Sequence, residues 1–153
     1  MSKNTTKYLE DVDSFHAKFG LIEKYNDKPG FLDPEFMRFR LRFLQEELTE
    51  LANSCGFTVQ GYGPGKIDFY HSPTSHNDLE GALDALVDLL YVLKGTVLFM
   101  GFGPIFDEAW DRVQAANMSK IRTAKKEDSK RGSSFDVVKP PEWKAPQFKD
   151  LLK

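Results

Sequence analysis

Residues 34–55 read PEFMRFRLRFLQEELTELANSC, and their periodicity decides the fold class. Asp33 is a fitting N-cap, Pro34 suits the first helical position, Glu35 falls in the first turn, and Cys55-Gly56 closes the segment, so a helix is predicted to about Ser54. Met37, Leu41, Leu44, Leu48, Leu51 and Cys55 form one apolar stripe, expected to be the core stripe of a bundle helix. Phe36, Phe39 and Phe43 form a second, on the side that carries Glu46, Glu47 and Glu50. At about 100° per residue the three glutamates span an arc of about 100°. An aromatic strip running into an acidic cluster has the character of a pocket floor, with rings for a flat ligand and oxygens for a metal.

A second acidic helix is predicted from about Asn77 to Met100. Leu79, Leu83, Leu86, Leu90, Leu93 and Val97 make its expected core stripe, while Asp84, Asp88 and Tyr91 lie to one side. Asp84 and Asp88 are about 40° apart. Aspartate is a poor helix former, so two within an aliphatic helix demand a reason. Carboxylates gathered beside apolar faces are costly unless a positive charge sits between them. Mg²⁺ fits simply, being a hard cation that takes carboxylate oxygens and keeps positions open for water and phosphate.

Outward from these helices, Leu9, Val12, Phe15 and Phe19 place a short amphipathic helix at about Thr6 to Phe19, stopped by Gly20. GFGP breaks the chain before a fourth helix from Pro104 to about Lys120, on which Phe106, Trp110 and Val113 share a face with Asn117 and Lys120. The glycine- and proline-rich residues 56–76 read as an ordered excursion with short β pieces at Thr58 to Gln60 and Ile67 to Tyr70. From Lys120 to Arg131 six basic residues face Glu127 and Asp128, a local +4. DVVKPPEWKAPQF then reads as extended, with Trp143 and Phe148 as anchors. The expectation is an all-α, four-to-five-helix bundle with a long ordered loop between helices two and three and an extended C-terminal tail.

At 153 residues with 41% hydrophobic and 29% charged residues, the chain suits one core, with core helices over 6–120 and a tail over 121–153. The net charge of −2 gives no general pull toward nucleic acid or a membrane surface. A lone cysteine excludes an internal disulfide and points to a reducing, cytoplasmic setting. The polar N-terminus has no apolar signal core, and the apolar run from Leu89 to Met100, broken by Lys94, Gly95 and Thr96, reads as a buried helix.

Other chemistries fail on spacing. GYGPGKI is one residue short of a phosphate loop and has Ile67 where Ser or Thr is needed. His16, His71 and His76 have no glutamate three residues earlier, as a di-iron bundle requires. Cys55 lies on the core stripe with no histidine placed to serve it.

The stretches FHAKFG, LRFLQEELTEL, LDALVDLLYVLKGT, WDRVQAANMSK and VVKPPEW together resemble the MazG-like, all-α nucleoside triphosphate pyrophosphohydrolases, in particular the compact single-domain versions common in bacteriophages. The family pattern EExxE is met at Glu46, Glu47 and Glu50. Its ExxD half is met at Asp88, while Ala85 stands where the first acid would be and Asp84 lies one residue earlier. The resemblance implies hydrolysis of a nucleoside triphosphate between the α and β phosphates with Mg²⁺ or Mn²⁺. Metal ligation is then expected from Glu47, Glu50, Asp84 and Asp88, with Glu46 activating water. Lys120, Asn117 and Arg122 are expected to hold pyrophosphate; Phe36, Phe39 and Phe43, with Phe15, His16 and Phe19 of the first helix, are expected to stack on the base, and Phe43, Tyr91 and His16 are counted among the substrate-binding residues. A purine deoxynucleotide, dGTP or dATP, is favoured over dCTP, dUTP or phosphoribosyl-ATP. The alternative outside catalysis is a helical interaction module with solvated acidic faces. Helices two and three carry more apolar surface than one copy covers, so at least a homodimer is expected, and the resemblance suggests a homotetramer.

Overall fold

The computed structural model describes residues 4–61, 63, 65–73 and 77–153, with side chains from residue 7 onward. Tyr62 of the discounted phosphate-loop string and His76 lie outside the described residues. The chain divides into two compact units, Met1–Gly103 and Pro104–Lys153. The fold is all-α, with four α-helices among the described residues, whose only sheets are two small antiparallel pairs.

In the N-terminal unit α1 spans Asn4–Lys18, α2 Pro34–Ser54 and α3 Leu79–Phe99. The α2 start is as predicted: Asp33 Oδ1 accepts from the backbone N–H of Glu35 and of Phe36, each at 3.0 Å, satisfying two donors that the first turn leaves open. Its end is also as predicted, since Gly56 has φ of 80°, a left-handed conformation that favours glycine. Helix α3 begins later than Asn77 because Asp78 is the cap, its carboxylate accepting from Gly81 N at 2.9 Å. Between them, β1 (Phe57–Gly61) and β2 (Ile67–His71) pair antiparallel, with Phe57 opposite His71 and Gly61 opposite Ile67. The excursion is thus a hairpin slightly longer than its two expected strands.

The core differs from the expected stripes. Helix α3 packs on α2 and α1, and it buries Ala82, Ala85, Val92, Lys94, Gly95, Thr96, Val97 and Phe99. Of its leucine stripe only Val97 is buried, while Leu79 is 87% and Leu83 64% exposed. On α2, Leu41 and Cys55 are exposed, and the buried residues are Arg40, Glu47 and Ala52. The reason is steric. Small residues on α3 admit a neighbouring helix closely, and α2 turns its aromatic and polar side toward them. The stripe leucines of α3 are left facing outward.

In the C-terminal unit a 3₁₀ turn at its boundary, Gly103–Ile105, leads into α4 (Phe106–Met118). Strand β3 (Ile121–Arg122) pairs with β4 (Val137–Val138). Trp143 is an anchor, as read: its indole N–H donates to Ala116 O at 2.7 Å and Lys139 Nζ stands 4.1 Å from its ring centre. Arg112 on α4 holds the chain end through Gln147 O and both oxygens of Asp150. Among the described residues no single helix is long and apolar enough to cross a membrane.

Candidate active site

Phe36, Arg40, Phe43 and Glu47 recur at intervals of three and four, so α2 presents them along one side. Three of them, Arg40, Phe43 and Glu47, meet Asp88, Tyr91 and Val92 of α3 and Phe15 and His16 of α1 around a cavity of about 340 Å³. Phe15 packs edge-on against Tyr91, with ring centres 5.5 Å apart. The cavity therefore joins aromatic walls to two carboxylates, a cation and an imidazole.

At the acidic end Glu47 is only 7% exposed, and its Oε2 is buried without a hydrogen-bond partner. Burial raises its carboxyl above the ordinary range, and the negative fields of Glu50, Asp88, Glu46 and Asp84 push the same way. The other four expected carboxylates thus act on the Glu47 carboxyl. Only Glu47 and Asp88 line the aromatic cavity; Glu46 and Glu50 line an open hollow with Arg42, and Asp84 lines another with Asp78 and Glu80. Among the described residues, no three acidic, histidine or cysteine side chains stand close enough to form a finished metal cage. The donor set nonetheless fits a hard divalent cation: carboxylate oxygens alone, one of them buried and unanswered.

At the opposite end sits a residue that sequence reasoning missed. Arg40 is 6% exposed, donates from Nε to Thr96 Oγ1 at 3.2 Å and from Nη2 to Val92 O at 2.6 Å, and lies over the rings of Phe43 and Phe99. The signal was its place between Phe36 and Phe43 on the aromatic strip. His16 is buried beside it, stacked on Phe99 with ring centres 4.4 Å apart. Burial lowers its basicity, and the Arg40 charge lowers it further.

A family profile described as phosphoribosyl-ATP pyrophosphohydrolase matches residues 12–117, more than half of the chain. The chain belongs to that family. It is one of the MazG-like all-α pyrophosphohydrolases, as the resemblance implied, and its activity class is hydrolysis of an acid anhydride in a nucleotide. The family is metal-dependent, usually on Mg²⁺. A search of curated proteins returned no match.

For a pyrophosphohydrolase the remaining expected residues lie as follows. Phe43, Tyr91 and His16 come together at the cavity. Asn117, Lys120 and Arg122 belong to the C-terminal unit. There Lys120 Nζ donates to Asn117 Oδ1 at 2.8 Å. Lys120 also borders a cavity of about 560 Å³ that Lys130, Arg131 and Lys139 make basic, while Arg122 is exposed on β3. Phe39, expected on the pocket floor, is 54% exposed.

Proposed function

We propose that the chain hydrolyses a purine deoxynucleoside triphosphate, dGTP or dATP, to the monophosphate and pyrophosphate, with Mg²⁺ and with Mn²⁺ as a substitute. The observation that carries this reading is the buried, unanswered Glu47 oxygen at the acidic end of an aromatic cavity of nucleotide dimensions. A triphosphate approaching bare carboxylates is repelled, so Glu47, Glu50, Asp84 and Asp88 would hold a divalent ion, which when bound would offset that repulsion, polarise the phosphoryl group and acidify water. Glu46 takes the proton of the attacking water. The water oxygen joins phosphorus, the α–β bridge bond breaks, and the pyrophosphate leaves with the bridging oxygen. Phe43, Tyr91 and His16 hold the base.

An end-point assay over the common nucleotides with Mg²⁺, reading both products, tests this. Dependence on Mg²⁺ and equal yields of monophosphate and pyrophosphate from dGTP or dATP are expected. Inorganic phosphate with a diphosphate left over, or no turnover at all, overturns it. The family's description places phosphoribosyl-ATP in the panel beside dCTP and dUTP. The outward leucines of α3 support assembly as a homodimer or homotetramer.

A further inference from the structure

The His16 and Arg40 end of the cavity has a hydrogen-bonding sense that the metal end does not require. Tyr25 has one hydroxyl hydrogen and donates it to Asp13 Oδ1 at 3.0 Å, so at 2.8 Å from His16 Nδ1 its oxygen accepts. The imidazole proton is thereby held on Nδ1, and Nε2 keeps a free lone pair. Arg40 is the reverse, a donor only. Among the described residues it makes no ion pair, and its hydrogen bonds engage Nε and Nη2, so it keeps N–H donors to offer a ligand. Both groups line the same cavity, together with the rings of Phe15, Phe43 and Tyr91.

We propose that Arg40 and His16 read the base, taking an edge that offers an oxo group beside an N–H and turning away edges that offer an amino group beside a bare ring nitrogen. Guanine, hypoxanthine, thymine and uracil present the first pattern; adenine and cytosine present the second. Arg40 donates to the oxo oxygen and His16 Nε2 accepts from the adjacent N–H. A wrong base sets its amino group against a guanidinium and its lone pair against a lone pair, which leaves buried polar groups unpaired. The Phe43 and Phe99 rings beside the guanidinium favour a flat, weakly hydrated ligand over a phosphate. This deepens the proposed function by excluding dATP, and it rests on that reading for the triphosphate alone.

Nucleosides without phosphates separate the two ideas. Deoxyinosine, thymidine, deoxyadenosine and deoxycytidine are titrated into the metal-free protein with chelator present, following the His16 ring by NMR. The oxo pair is expected to bind about 10-fold or more tightly than the amino pair, and the order of deoxyinosine and thymidine tells purine from pyrimidine. Arg40→Lys keeps the charge without the fork, and His16→Phe keeps the stack on Phe99 without the acceptor; each is expected to bring the ratio near unity. Should either variant fold poorly, the wild-type panel carries the test. Equal binding of the amino pair, displacement by metal-free tripolyphosphate, or no binding of any nucleoside overturns the proposal. Nucleoside selectivity without pyrophosphate release from any triphosphate sinks the hydrolase reading and leaves this one standing.

Discussion

Gly95 leaves open the space against which the Arg40 guanidinium lies: a Cβ on Gly95 would stand 2.9 Å from Arg40 Nη2, a group already tied to Val92 O. Contact that close requires one of them to move, and His16 at 3.2 Å blocks the other side.

Gly95→Ala is therefore predicted to destabilise the protein. Alanine in a helix interior gains about 1 kcal/mol over glycine, but overpacking a tight core costs about 1–3 kcal/mol. A net loss of about 1 kcal/mol is expected in urea unfolding, with Arg40 displaced and nucleoside binding weakened. A variant more stable than wild type shows that the helices yield freely here.

Glu47→Gln is predicted to stabilise the metal-free chain at neutral pH while removing activity. Burial and neighbouring carboxylates raise the folded Glu47 pKa above its ordinary 4.5, so the folded state holds this proton more tightly than the unfolded chain does. The group costs nothing below the unfolded value, and its penalty grows as pH rises through the raised folded value. Glutamine carries no charge and escapes it. Melting temperatures with chelator should favour the variant at pH 7 and converge with wild type near pH 4. Added Mg²⁺ should raise the wild-type midpoint only, and turnover should fall by more than about 10²-fold, beyond the loss typical of a group that merely supports a metal ligand.

The α3 leucines predict the assembly. Leu83 and Leu90 are 64% and 39% exposed in the single chain, and burying a leucine is worth roughly 1.5–3 kcal/mol. Light scattering should find a dimer or tetramer at micromolar concentration, and Leu83→Glu with Leu90→Glu should weaken association by about 10²-fold or more. A monomeric wild type refutes the interface.

Arg112 and Asp150 make a paired contact, two N–H groups to two oxygens at 2.7 Å each, which holds the Asp150 carboxyl down at about 2. Its stabilisation is present above the unfolded aspartate value of 3.8 and is lost as pH falls toward about 2. Asp150→Asn should melt earlier than wild type at pH 7, and the gap should close on acidification. A gap that stays constant with pH assigns the effect to something other than the ion pair.

Much of the molecule was legible in the chain itself, because the deciding physics is local. Asp33 and Pro34 start α2 through groups within three residues, Gly56 ends it through its own backbone freedom, and the hairpin strands follow from composition between turns. The carboxylates and Phe43, Tyr91 and His16 were visible as helix faces at regular spacing. Which face became the interior was decided only in three dimensions. Leucine stripes outrank any other face on hydrophobicity, yet Ala82, Ala85 and Gly95 allow a closer approach of neighbouring helices than leucines do, and the side with Arg40 and Glu47 went inward. A buried arginine without a carboxylate cannot be read from spacing, because its burial depends on Val92 O and Thr96 Oγ1, which lie more than fifty residues away in the chain and beside it in space.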